Sequence, residues 1–142
     1  MQPKKGLVKF VELPKILDDC VLCFAQTPDH IPFIVKRVYY ITRAHPKLPR
    51  GFHAHKKTKQ IIFCIKGSIK LTLDNGRKRK QIILSKPNIG VFLDAMVWHE
   101  MINFKKDTMI LVLASKKFDP SDYIRNYVEF KKRAQKYESK IS

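Results

Sequence analysis

Two of the five histidines of the chain, His53 and His55, stand one residue apart in the segment Pro49-Arg-Gly-Phe-His-Ala-His-Lys-Lys57. Imidazole changes charge close to neutrality, so such a pair can carry protons or ligate a metal. If the segment is extended, the strand period of two places His53, His55 and Lys57 on one side and Ala54 on the other. Two imidazoles and an ammonium make a poor core. That face is therefore read as lining a cavity, with Phe52 and Ala54 directed at a core. The bland alternative is a pair of surface histidines on a basic protein. Other groups able to do chemistry are Tyr39, which shares a strand face with Arg37, then Arg50, Gln60 and the run Trp98-His99-Glu100.

The elements that must hold these groups are mostly strands. Phe33–Ile41 is β-branched and aromatic, and Gln60–Ile65 ends on the turn Lys66-Gly67. Ser68–Leu73 alternates with period two and closes at Asp74-Asn75-Gly76, a strong hairpin signal before Lys80–Leu84. Ile89–Leu93 and Thr108–Ala114 are further strands. Short strands at this spacing predict an all-β sandwich or small barrel. One C-terminal α-helix is expected over about 120–138, capped by Asp119 with Pro120 in its first turn. Tyr123, Tyr127, Phe130, Ala134 and Tyr137 would form its packed stripe.

The bulk numbers set bounds. The 142 residues, 44% of them hydrophobic, suit a single domain spanning 1–142, with its core over about 33–114. No secretory leader or apolar run long enough to span a membrane is read, so a cytoplasmic location is expected. Cys20-Val-Leu-Cys23 has redox spacing without a redox-fold context and is read as packing or chance. The 29 Lys and Arg against 12 Asp and Glu give a net charge of +17. That charge could serve nucleic acid or anionic lipid, or focus a phosphate-bearing ligand into a pocket. The basic residues spread along the chain, and the densest run, Arg77–Lys80, follows a turn and reads as a solvated hairpin end. Neither a nucleic-acid nor a membrane partner is therefore expected.

His53-x-His55, then Gln60, then Gly67 resembles the first cupin motif, with Gln in place of its Glu; His99 and Asn103 keep the spacing of the second, whose usual Pro and Gly are replaced by Asp94 and Met96. A neutral amide is a poor metal ligand and nearby cations repel one, so no metal and no other cofactor is expected. A more specific resemblance rests on Lys36-Arg-Val-Tyr-Tyr-Ile41, Arg50–Lys57, Gln60, Val97–Met101, Val112–Ser115 and Asp122-Tyr-Ile-Arg125. In this order and spacing they are similar to the dTDP-4-keto-6-deoxyhexose 3,4-ketoisomerases. The Arg-Gly-x-His part also resembles dTDP-sugar 3,5-epimerases, which are longer and lack the second His.

The resemblance implies a homodimer of cupin (jelly-roll) β-barrels that moves a dTDP-linked keto-deoxysugar's carbonyl from C4 to C3 without a metal. It implies His53 as carbon acid/base and His55 as carrier of the oxygen proton, with Tyr39 as a third catalytic group. Arg37, Arg50 and Lys57 would hold the diphosphate. Trp98 would stack on thymine or ribose, or else pack in the core; Glu100 would orient or face solvent; Gln60 and His99 would line the substrate site. The family's N-terminal Asp-x-Arg-Gly is absent, its place taken by Leu17-Asp-Asp-Cys-Val-Leu22. The phosphate grip would then be rebuilt, for example by Lys15. The competing classes are another cupin enzyme, either a 3,5-epimerase or a metal-dependent oxygenase, and a non-catalytic module for nucleic acid or a sugar ligand.

Overall fold

A computed structural model describes residues 6–141. The strands are β1 (Lys9–Glu12), β2 (Lys15–Leu17), β3 (Val21–Cys23), β4 (Arg37–Ile41), β5 (Arg50–His55), β6 (Gln60–Lys66), β7 (Ile69–Asp74), β8 (Arg79–Leu84), β9 (Ile89–Leu93), β10 (Trp98–Ile102), β11 (Met109–Ala114) and β12 (Tyr123–Ile124), followed by helix α1 (Tyr127–Ile141). They form two five-stranded sheets, ordered β1-β9-β6-β11-β4 and β12-β5-β10-β7-β8, and β2-β3 make a separate hairpin. The all-β class holds. The expected jelly roll is present as a sandwich of the two five-stranded sheets.

Alternation along the strands builds the core. Ile62, Cys64, Val91, Leu93, Ile110 and Val112 of one sheet meet Ile69, Leu71, Leu73, Leu84 and Met101 of the other, all buried. β5 and β6 lie in different sheets, and Lys56–Lys59 carries the chain between them. That crossing places the end of β5 and the start of β6 together at one end of the sandwich.

The helix begins later than the sequence suggests. Asp119 accepts from the Ser121 backbone N–H and caps only a single 3-10 turn, Pro120–Asp122. The chain then adds β12 to the edge of β5, pairing Tyr123 with His55 and Ile124 with Ala54. Asn126, accepting from the Glu129 N–H, caps the real helix. Tyr123 therefore leaves the predicted stripe, while Phe130 and Ala134 bury against Ala54, Met96, Trp98 and Ile124. One other reading changes: Cys20 and Cys23 are exposed thiols on the hairpin rather than packed. The basic run Arg77–Lys80 is exposed at the end of the β7–β8 hairpin, as expected, with Arg77 paired to Glu138 and Arg79 bridging Asp74 and Glu100.

Phe130 is the helix residue most fully enclosed. Phe130→Ala should destabilise the fold by about 3–5 kcal/mol in equilibrium urea unfolding, as for other core Phe truncations. A loss under about 1 kcal/mol would mean that the helix is not docked through this side chain.

Candidate active site at the junction of the sheets

The site is built around a distortion in β5. Gly51 (φ 86°) and Phe52 (φ 58°) are both left-handed, and the β5–β10 register slips between His99 and Glu100. A Cβ on Gly51 would come within 2.9 Å of the His99 carbonyl oxygen, so only glycine fits there. The bulge turns Phe52 out to solvent, against the expectation that it faces a core. It also lets His53 pair with His99 across the strands. β5 ends at His55, so the alternation does not extend to Lys57, whose side chain is exposed.

Three imidazoles result in one cluster. His53 lies 4.5 Å from His99 and 5.1 Å from His55, ring centre to ring centre, and His99 stacks parallel to His55 at 6.2 Å. His55 and His99 are only 2% and 1% exposed. Tyr123 covers His55 at 4.5 Å and His53 at 4.8 Å. His53 Nδ1 donates to the Gly51 carbonyl at 3.0 Å, and His55 Nδ1 lies 3.2 Å from Asp122 Oδ2. A carbonyl can only accept, so His53 carries its proton on Nδ1 and leaves Nε2 as a lone pair. His55 Nε2 is buried with no protein partner.

Burial sets the charge state. Desolvation, and then the neighbouring His55, push the His53 pKa down to about 4. Desolvation also lowers His55, though Asp122 opposes it, and takes His99 well below the ordinary value. At neutral pH the cluster is therefore a set of uncharged bases. On the facing sheet, Gln60 Nε2 donates to the Tyr39 hydroxyl at 3.0 Å, leaving that hydroxyl's own proton free to donate. Burial pushes the Tyr39 pKa up to about 12, so it stays protonated.

Cations rim the pocket. The Arg37 guanidinium sits over the rings of Tyr39 (5.5 Å) and Phe118 (5.8 Å), and Arg125 over Tyr123 (4.5 Å). Among the described residues, Arg37, Arg50, Lys57 and Arg125 form no ion pair. Arg37 Nε is buried and unpartnered.

Of the two readings left open for Trp98 the arrangement takes the core one, and Glu100 is the carboxylate that orients it. The Trp98 indole is buried against Tyr127 and Phe130 and donates to Glu100, which also accepts from Arg79. Both side chains lie on the opposite face of β10 from His99, so Trp98 is a core residue there rather than a base-stacking one. The replacement for Asp-x-Arg-Gly forms the exposed turn of β2-β3, where Asp18 accepts from the Cys20 N–H. Sequence reasoning quoted Asp122-Tyr-Ile-Arg125 only as part of the motif set, placed Tyr123 on the helix stripe, and gave none of Asp122, Tyr123, Arg125 or Phe118 a role in the site. Asp122 and His55 are 67 residues apart and meet only because β12 pairs with β5.

A cupin metal does not fit these residues. Among the described residues, the only three ligating side chains with all ligand atoms within 4.8 Å of one another are Asp18, Asp19 and Cys20, exposed on the hairpin. The ring nitrogens of His53, His55 and His99 do not all come within 4.8 Å of one another, and the Gln60 amide is turned to Tyr39.

A jelly roll with neutral histidines, a tyrosine and unpaired arginines at its sheet junction defines a cupin-like fold built for proton transfer on an anionic ligand. Residues 7–135 match the family model for FdtA, described as WxcM-like, C-terminal, and the chain belongs to that family. It is 43% identical over 125 residues to a TDP-4-oxo-6-deoxy-alpha-D-glucose-3,4-oxoisomerase of Aneurinibacillus thermoaerophilus, covering 87% of this chain and 90% of that one. Among solved structures it superposes on a 3,4-ketoisomerase from Helicobacter canadensis with TM-score 0.87 at 39% identity, covering 90% of this chain and 97% of the other. It likewise matches QdtA, a sugar 3,4-ketoisomerase from Thermoanaerobacterium thermosaccharolyticum solved in complex with TDP, with TM-score 0.89 at 37% identity over 94% and 98% of the two chains.

The depressed histidines predict acid sensitivity. Between pH 6.5 and about 4 the unfolded chain takes up protons at His53 that the folded chain refuses, so stability falls as pH drops through that window. The melting temperature should decline across it, and His53→Gln should flatten the slope. Equal slopes for the two proteins would show that His53 is not held neutral.

Proposed function

We propose that the chain is a TDP-sugar 3,4-ketoisomerase, converting dTDP-4-keto-6-deoxyglucose to a dTDP-3-keto-6-deoxyhexose for deoxyamino-sugar synthesis towards surface polysaccharide. The observation that carries the reading is the pair of neutral imidazoles, His53 and His55, packed edge to face where β5 passes into β6. Family membership and the 43% identical oxoisomerase support it.

The residues match what the reaction needs. The C4 carbonyl acidifies the C3 hydrogen, a histidine removes it, and an enediol or enediolate results. The carbon proton returns at C4 while a second carrier moves the hydroxyl proton between the oxygens. Two neutral histidines supply both carriers. The Tyr39 hydroxyl, protonated and oriented by Gln60, is placed to stabilise an enediolate oxygen. His99 forms the dry floor on which His53 rests. Arg37 and Arg50, unpaired cations near Tyr39, suit the diphosphate, with Lys57 exposed at the mouth. No step uses a metal or cofactor. The same reading gives a cytoplasmic enzyme with no nucleic-acid or membrane partner; among the described residues no helix is long and apolar enough to cross a membrane.

It also gives a homodimer. β4 is an edge strand, and Val38 and Tyr40 on its outer side are 58% and 70% exposed. Ile16, Leu17, Val21 and Leu22 of the β2-β3 hairpin are exposed as well. A second copy covering these apolar groups accounts for them. Light scattering should give twice the 16.7 kDa chain mass. A mass equal to one chain would remove the dimer from the proposal.

Turnover tests the chemistry. His53→Asn and His55→Asn should each slow isomerisation by about 10²–10⁴-fold. Arg50→Ala should chiefly raise KM, by roughly tenfold or more, as expected for a lost charge-assisted contact. Near-normal turnover in both histidine variants would place the active site elsewhere.

A further inference from the structure

We propose that the lysines on the loops framing the site, Lys36, Lys56, Lys59, Lys116 and Lys117, form an electrostatic funnel that captures a nucleoside diphosphate at long range and delivers it to the pocket. The inference rests on the isomerase reading, because it takes a TDP-linked sugar as the anion to be captured. It accounts for the net charge of +17, which the chemistry inside the pocket does not require.

The backbone gathers these lysines from separate parts of the chain. Lys56 and Lys59 lie on the passage from β5 into β6. The Lys59 N–H donates to the Ser115 hydroxyl, and the Ser115 N–H donates to the Lys59 carbonyl, both at 2.9 Å. That pair ties the passage to the loop after β11, where Lys116, Lys117 and Phe118 are exposed. The Lys36 N–H donates to the Ala114 carbonyl at 3.0 Å, which sets Lys36 beside the end of β11. On the other side, the Lys56 N–H donates to the Asp122 carbonyl at 2.8 Å and joins the passage to the segment leading to Tyr123 and Arg125. The cations of the pocket stand among the same loops: the Arg37 guanidinium lies over Phe118, and Arg125 over Tyr123.

The acids leave this charge standing. Asp74, Asp94, Glu100, Glu129 and Glu138 are already paired with other cations. The loops around the site carry two acids of their own, Asp119 and Asp122. Asp119 caps the 3-10 turn through Ser121, and Asp122 accepts from the Lys57 N–H, Thr58 and His55. Among the described residues none of the five lysines forms an ion pair. Like charges on adjoining loops repel, and an anionic ligand relieves that repulsion. A TDP-linked sugar is a dianion, which the guanidinium groups of Arg37 and Arg50 are suited to hold by contact. The exposed ammonium groups, which are strongly hydrated, act instead through their field. Such a field reaches about 10 Å at 0.1 M ionic strength. It can raise an association rate by roughly 10–10³-fold.

Stopped-flow binding of fluorescently labelled TDP to the whole protein tests capture without reference to turnover. From about 20 to about 200 mM salt the association rate constant should fall roughly tenfold, while the dissociation rate constant changes by about twofold or less. A triple variant, Lys59→Gln with Lys116→Gln and Lys117→Gln, should bind roughly tenfold more slowly at low salt and match wild type at about 0.5 M. Its kcat on dTDP-4-keto-6-deoxyglucose should be unchanged. A wild-type association rate that is indifferent to salt would overturn the proposal, and that measurement decides even if the variant does not fold. A variant that binds as fast as wild type would overturn it as well. So would a loss confined to faster dissociation or to kcat, which would mark direct contact in place of a field. A chain that captures TDP with the expected salt dependence and shows no turnover would uphold the funnel and contradict the isomerase reading instead.

Discussion

Three imidazoles can pack against one another inside a protein only if they are uncharged. Every other feature of the site follows from that constraint. With centroids 4.5 to 6.2 Å apart and two of the rings almost wholly buried, each added proton would meet both a desolvation penalty and repulsion from its neighbours. The cluster is therefore held ready to accept protons. The same crowding makes any proton it accepts easy to give up, which a reversible shuttle requires.

The fold supplies the crowding by an economical route. A left-handed pair, Gly51-Phe52, bulges β5 just before the histidines and lets the Gly51 backbone approach His99. The short passage from His55 to Gln60 then swaps sheets, and the Gln60 amide donates to the Tyr39 hydroxyl on the neighbouring strands of the other sheet. Around this dry centre the guanidinium groups of Arg37 and Arg125 rest on aromatic faces rather than on carboxylates. Unpaired cations beside neutral bases suit a substrate that brings its own negative charge and leaves the reacting carbons in an apolar environment.

Much of this was legible in the sequence, for identifiable reasons. Strand alternation and the Asn75-Gly76 turn are local signals, and they placed the β core. The His53-x-His55 spacing, Tyr39 and Gln60 belong to a motif set that survives as linear text. What escaped depends on distant contacts. For Trp98, beside His99, the sequence left ligand stacking and core packing both open; strand alternation sends it to the opposite face, where α1 covers it. Asp119 and Pro120 look like a helix start, but the chain needs one more edge strand first, and that two-residue strand delivers Asp122 and Tyr123 to the histidines. The bulge at Phe52 overrides the period-two expectation that aimed this ring at a core, and β5 ends at His55, before the alternation reaches Lys57.

The central claim is that these groups move a carbonyl by shuttling protons between adjacent sugar carbons. The most direct measurement is NMR of the product formed from dTDP-4-keto-6-deoxyglucose in deuterated water, with the protein stripped of metals. The account predicts a carbonyl at C3 and a carbon-bound hydrogen or deuterium at C4. A carbonyl still at C4 with deuterium at C5, or turnover that appears only after a divalent metal is added, would contradict it.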